Sequence, residues 1–166
     1  MIDALERFVR ALTWRTAQAA QLAMIFLMLI TVTNVIIRIP WRPIGGTVEL
    51  VEMAGAILLS LGIAYTAIVK GHIMVGVLVE RFPKRIQGFV EIVVSAISLF
   101  FSFLLARELM SYGIRMMGRG YVTGHLGVPI APSIFLTAFG FIMLSLVLML
   151  DLIKAVILVT KGRNQE

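Results

Sequence analysis

The chain has 166 residues, of which 60% are hydrophobic and only 14% are charged. Soluble domains carry about 25% charged residues, so this chain has too little polar surface for a water-soluble fold. It contains no cysteine, which excludes disulfides, thiolate metal sites and cysteine nucleophiles. The formal net charge of +6 does not indicate a nucleic-acid partner, because the basic residues lie at the borders of apolar runs and form no stripe with aromatic residues. Composition and charge therefore predict an integral membrane protein.

Four apolar runs are long enough to cross a bilayer as helices, and together they predict one transmembrane domain over residues 1–166. We place the spans at about 17–37, 49–69, 86–106 and 130–150. The first span has 21 uncharged residues, and a helix of that length covers roughly the 30 Å of the hydrocarbon core. Pro129 and Pro132 fall at the start of the fourth span, where a helix tolerates proline best. The predicted fold class is all-α, with four transmembrane helices.

The lysine and arginine residues outside the spans are divided unequally between the two sides of the membrane. Ten lie on the side of the termini: Arg7, Arg10, Arg15, Lys70, Arg81, Lys84, Arg85, Lys154, Lys161 and Arg163. Five lie on the opposite side: Arg38, Arg42, Arg107, Arg115 and Arg119. The positive-inside rule therefore predicts that both termini are cytoplasmic.

The segment ahead of the first span has its own pattern. Its apolar residues recur at spacings of three and four, with the arginines off that stripe: Ile2, Leu5, Phe8, Val9 and Leu12. A short helix lying in the headgroup layer fits this pattern. A first helix that continues out of the bilayer fits it equally well, and the sequence leaves both alternatives open.

The connection over residues 107–129 is the longer of the two on the side opposite the termini, and it is rich in glycine. Connections of more than about 12–15 residues are uncommon unless they have a function, such as docking a partner or covering a site. Arg115 and Arg119 are the docking candidates here. Residues 107–117 also fit a third helix that continues beyond the membrane surface.

Several residues at the span borders are candidates for a structural or interface role: Asn34, Arg38, Glu49, Glu52, Gly62, Gly71, His72 and Glu91. A charge at the bilayer centre costs about 2.5–3.5 kcal/mol on insertion scales, so each charge near the membrane needs a reason. The short first connection brings Arg38 close to Glu49 and Glu52. This predicts an interfacial ion pair that locks the first hairpin, in preference to a transport or proton site.

The remaining candidates have local explanations. Gly71 is a natural stop for the second helix, and His72 can hydrogen-bond the carbonyls freed there. Glu91 lies about one turn into the third span. Its carboxylate can pair with a nearby basic residue or with a partner, or it can extend to the membrane–water interface.

Small residues recur at helical spacing on two spans. The second span has Ala56, Ser60 and Ala67, with Ile63 in the same line, and the third has Ser95, Ser98, Ser102 and Ala106. Small faces allow transmembrane helices to approach closely. They fit internal packing of the four helices or a seam for a partner subunit, and both alternatives stay open.

No catalytic constellation is present in the sequence: there is no phosphate-binding glycine loop, no His-Glu-x-x-His and no nucleophile elbow. His72 and His125 are predicted on opposite sides of the membrane and so cannot share a metal within one chain. We therefore expect no catalytic, cofactor or metal site. An autonomous small transporter or channel, acting as a homo-oligomer, is the alternative function. It calls for a charge in mid-span and inverted repeats, and the chain offers no convincing case of either.

The sequence from residue 34 to about residue 83 resembles a known family, the small (DctQ-like) membrane subunit of tripartite ATP-independent periplasmic (TRAP) transporters. The first span ends Asn34-Val-Ile-Ile-Arg38, the second begins Gly46-Thr-Val-Glu49-Leu-Val-Glu52, and it closes with Lys70-Gly71-His72. Residues 123–132 are similar to the segment that opens the family's fourth helix. The chain departs from the family pattern at Ile39 and Trp41, where many members have an aromatic residue after the arginine and a tryptophan just before the acidic pair.

This resemblance implies a role as an accessory subunit without a reaction of its own. In such systems a periplasmic binding protein captures an organic anion, often a carboxylate, and a large membrane subunit moves it inward on a sodium gradient. The small subunit is expected to brace the large one and to help dock the binding protein. The implied partners are these two proteins and membrane lipids, and the implied location is the bacterial inner membrane.

Overall fold

The structure of the chain is a computed structural model that describes residues 2–40, 42, 44–68 and 84–162. Its elements are four helices: α1 (Ile2–Arg38), α2 (Thr47–Ile68), α3 (Lys84–Gly118) and α4 (Ala131–Gly162). Each of them contains a stretch long and apolar enough to cross a membrane. The described residues form no strand, only one isolated bridge between Val122 and Pro129. The prediction of an all-α membrane protein with four transmembrane helices is therefore confirmed.

The first helix is continuous from Ile2 to Arg38. Of the two alternatives for the N-terminal segment, the structure has the long first helix and not a separate interfacial one. Val9 and Thr13 are almost fully buried. Val9 of the apolar stripe is thus covered by other parts of the chain, whereas the side chains of Ile2, Leu5 and Phe8 lie outside the described residues.

The ends of α3 and α4 follow from local chemistry. At the end of α3, Gly120 has a left-handed backbone with φ of 63°. Its N–H donates to the Met117 carbonyl, and the N–H of Tyr121 donates to the Met116 carbonyl. These two bonds form a Schellman motif, which explains why the helix stops there. At the start of α4, Pro132 lies in the first turn, where its missing N–H has no helical partner to lose.

The helices are arranged in the order α1–α2–α4–α3 and do not form a closed bundle. α4 packs extensively on both α3 and α2, whereas α1 packs on α2 and touches α4 only slightly. Among the described helices, α3 contacts neither α1 nor α2. In the most apolar stretch of α4, half of the residues are buried within the chain. The corresponding fractions are 6% for α1 and 11% for α3. The fold is therefore a row of helices with α4 near its centre.

The small residues allow close packing inside this row. A Cβ placed on Gly140 of α4 would lie 2.5 Å from the backbone of Ser60 in α2, so these two helices are almost in backbone contact. On the other side of α4, the hydroxyl of Ser102 in α3 donates to the Phe141 carbonyl at 3.1 Å. The hydroxyl of Ser145 donates to Ser102 at 3.0 Å. Most of the two predicted small faces thus serves internal packing, and Ala56 and Ile63 are the exposed exceptions.

Candidate functional site

The connection between α3 and α4 is folded on itself and is called the cap loop here (residues 119–130). The N–H of Thr123 donates to the Val128 carbonyl at 2.9 Å, and the Thr123 hydroxyl accepts from the N–H of Val128 at 3.1 Å. The N–H of Gly127 donates to the Thr123 carbonyl at 3.1 Å. Gly127 has a φ of 64°, a conformation that glycine adopts without strain. The cap loop is therefore a small ordered unit built around Thr123.

Glu49 of α2 attaches the cap loop to the other half of the chain. One carboxylate oxygen accepts a hydrogen bond from the N–H of His125 at 2.8 Å, and the other accepts one from the N–H of Leu126 at 3.1 Å. Hydrogen bonds with an ionised acceptor are roughly twice as strong as neutral ones. A single side chain in the first turn of α2 thus satisfies two adjacent amides of a loop more than 70 residues away.

The cap loop also packs on the connection between α1 and α2. Gly46 has a φ of 83°, and a Cβ at this position would lie 2.5 Å from the Leu126 side chain. The same connection is fixed to α1, because the Asn34 side-chain oxygen accepts a hydrogen bond from the N–H of Ile44 at 3.0 Å. Thr47 closes it with a hydroxyl bond to the Ile44 carbonyl at 2.9 Å. Both loops at this end of the row therefore form one connected surface.

The ion pair expected between Arg38 and the acidic residues of α2 is absent from the described part of the chain. Arg38 is exposed. Both oxygens of Glu49 are engaged by the cap loop, so this carboxylate is oriented toward His125 and Leu126 and not toward α1. The first hairpin is held instead by Asn34, a neutral residue.

An open cleft of about 480 Å³ lies beneath the cap loop. α4 forms its floor, and α2 and α3 form walls that do not meet. The lining combines carboxylates, tyrosines, hydroxyls and apolar side chains: Glu49, Glu52, Met53, Ala56, Leu109, Tyr112, Tyr121, Val122, Thr123, Gly124, Ile130, Ser133, Ile134 and Thr137. Since Glu49 is occupied by the loop amides, Glu52 is the cleft carboxylate with no bonding partner among the described residues.

The two docking candidates lie at the same end of the row. The Arg115 guanidinium donates to the Ser111 hydroxyl and lies 6.0 Å from the centroid of the Tyr112 ring. Arg119 follows the last turn of α3 and is exposed. Both residues are accessible beside the cap loop, and whether they contact a partner stays a prediction.

The remaining sequence candidates are less informative. Gly62 lies on α2, and a Cβ there would meet nothing within 4 Å in this chain. Gly71 and His72 lie outside the described residues, and the Glu91 side chain is also outside the described part of α3. Within the described residues, no group of histidine, aspartate and glutamate side chains could hold a metal ion.

Sequence reasoning selected Glu49 and Asn34 but missed their partners. It also missed Gly46, Leu126 and Thr123. The available signals were a glycine directly before an acidic helix start and a loop rich in glycine. Neither signal specifies a contact between segments so distant in the chain.

Four membrane-length helices, joined at one end by two interlocked loops, define a multi-pass α-helical membrane protein. The comparison with protein families then specifies which one. Residues 27–157 match the model of the DctQ component of tripartite ATP-independent periplasmic transporters, and the chain belongs to this family. No curated protein and no solved structure matches it. The family is a transporter component and not a family of enzymes, and it works as one part of a tripartite system.

Proposed function

We propose that this chain is the small permease subunit that braces the large membrane subunit of a TRAP-type transporter and helps to dock its periplasmic binding protein. The transport it serves is the sodium-driven uptake of an organic anion such as a carboxylate. The observation that carries the proposal is the family match over residues 27–157, which covers α2, α3, the cap loop and most of α4.

The order of the helices supports a bracing role. A row has two broad faces, and α1 and α3 each use only a small part of their surface within the chain. Transmembrane helices associate by packing and interhelical hydrogen bonds. A row with open faces is therefore suited to lie against a larger membrane protein.

The interlocked loops support a docking role. Because Glu49, Gly46 and Asn34 fix the cap loop and the first connection to each other, a partner would meet an ordered surface. Ordered binding surfaces lose less conformational entropy on association. We propose that this surface faces the periplasm of a bacterial inner membrane, with both termini in the cytoplasm.

The orientation can be tested directly because the chain has no cysteine. A single cysteine introduced at the exposed Gly124 should react with a membrane-impermeant maleimide once the outer membrane is permeabilised and the inner membrane is intact. Labelling only after the inner membrane is broken would place the cap loop in the cytoplasm and contradict the orientation.

The docking role is tested by reversing the charges of Arg115 and Arg119. The double variant Arg115→Glu, Arg119→Glu should need a higher concentration of binding protein for half-maximal uptake, because charges at an interface rim mainly change the association rate. Arg10, an exposed arginine near the start of α1 and away from both loops, provides the control variant Arg10→Glu. Uptake that is unchanged over the whole range of binding-protein concentrations would contradict the docking role.

Co-purification tests the proposal as a whole. A tagged chain is extracted from its native membrane in mild detergent, and the proteins that accompany it are identified. We expect a much larger, many-span membrane protein. A homogeneous homo-oligomer without such a partner, active alone in liposomes, would overturn the proposal in favour of an autonomous small transporter.

A further inference from the structure

The cleft beneath the cap loop continues into a groove between α2 and α3. These two helices do not contact each other, so the groove is open to the side, with α4 as its floor. The cap loop residues Tyr121–Gly124 cover its upper end. An occupant would therefore enter laterally, from within the membrane.

Glu52 presents an unusual charge to this groove. It lies five residues after Thr47, about 8 Å along the helix from the start of α2. Among the described residues no cation forms an ion pair with it: Arg38 has none, and Arg115 is directed to Ser111 and Tyr112. A carboxylate at the border of a span is costly unless a partner of opposite sign accompanies it.

The surroundings of Glu52 favour one kind of partner group. Tyr112 and Tyr121 line the same cleft, and aromatic rings attract cations through their electron-rich faces. The volume of about 480 Å³ is within the range of sites that bind a side chain or a small ligand. A cleft lined by an unpaired carboxylate and tyrosines is complementary to an ammonium or guanidinium group.

The wall formed by α2 favours a helix as the carrier of that group. Ala56 lies one turn below Glu52, lines the cleft and is exposed. Small residues let a second helix approach closely in the membrane. Lipid chains need no such small residues.

We propose that the groove between α2 and α3 receives a transmembrane helix of a partner protein, which places a lysine or arginine against Glu52 in the cleft. This inference rests on the proposed function for the nature of the partner, the large membrane subunit, and adds the face and the residue by which it is held. The interaction is an ion pair in the cleft, beside the ring of Tyr121.

The first test compares two neutralised carboxylates. Glu52→Gln should lower the recovery of the co-purified large subunit at least about ten-fold, because removing one partner of a buried charge pair leaves the other charge unpaired. Glu108→Gln is the matched control, since Glu108 is an exposed carboxylate of α3 outside the cleft. Thermal unfolding of both variants without the partner shows whether each one folds. A folded Glu52→Gln variant with undiminished recovery would overturn the inference.

The second test identifies the occupant. A single cysteine at Ala56, inside the cleft, carries a photoreactive maleimide, and a cysteine at Leu136, an exposed α4 residue outside it, is the control. We expect an adduct with the large subunit from Ala56 that weakens in the Glu52→Gln background. An adduct with lipid alone, or with a second copy of this chain, would overturn the inference while the proposed function stands. If the wild-type chain recovers no many-span partner at all, both fail.

Discussion

Gly46 combines a left-handed backbone with a close neighbour, and both features exclude a larger side chain. We predict that Gly46→Ala destabilises the chain by about 1–2 kcal/mol from the backbone alone, because other residues are strained in this conformation. The approach to Leu126 adds to this cost. Gly45→Ala is the control, since a Cβ there meets nothing within 4 Å. Thermal unfolding in detergent compares the two, and equal stability would contradict the role given to Gly46.

The role of Glu49 can be tested at the two backbone amides whose hydrogen bonds it accepts. We expect Glu49→Ala to increase hydrogen exchange at the backbone N–H groups of His125 and Leu126, because both lose their acceptor. Glu49→Gln keeps one carbonyl oxygen and should have a smaller effect. Glu52→Ala is the control, since Glu52 contacts neither amide. Exchange that is unaltered in Glu49→Ala would show that these hydrogen bonds do not hold the cap loop.

At the scale of single residues, the sequence indicated which polar side chains need a hydrogen-bonding partner. It did not indicate which residues those partners are. Asn34 and Glu49 stand out because polar side chains at the edge of a span are costly. Both side chains accept hydrogen bonds from backbone N–H groups of the loops, and Gly46, Thr123 and Gly127 determine the conformation of those loops. The Glu49 contacts join distant parts of the chain, so no local spacing encodes them.

At the scale of helices, Gly140 sets how closely α2 and α4 approach. We predict that Gly140→Ala destabilises the chain by about 1–3 kcal/mol, the usual cost of overfilling a packed interior. The nearest atoms belong to the Ser60 backbone, which cannot rotate out of the way as a side chain can. Gly62→Ala is the control, with open space at its Cβ, and should leave stability unchanged or raise it. Equal unfolding temperatures for the two variants would contradict this account.

The helices themselves were predictable because their apolar length must match the bilayer. The third helix continues to Gly118, in agreement with the interpretation that residues 107–117 extend it beyond the apolar run. Its end in a Schellman motif was not predicted. The order α1–α2–α4–α3 was not predictable, since helices that are apolar on all sides give no signal of which face meets which neighbour.

At the scale of the whole molecule, a row of helices stabilises itself less than a closed bundle does. Apolar residues of α1 and α3 are exposed along most of their length, among them Leu22, Ile25, Leu29, Val32, Phe100, Phe101 and Phe103. We predict that the chain unfolds at a higher temperature in complex with the large subunit than alone in the same detergent, because a ligand of the folded state stabilises it. Coincident unfolding curves would argue against an extensive interface.

The bond between Glu49 and the cap loop also has a consequence for biosynthesis. During translation, α1 and α2 are made and can enter the bilayer before residues 125 and 126 exist. Transmembrane helices insert first and associate afterwards. The chain therefore inserts as two hairpins, α1–α2 and α3–α4. The second hairpin packs on the first when the cap loop binds Glu49. We expect this late contact to be the step at which the two halves of the newly made protein become one unit.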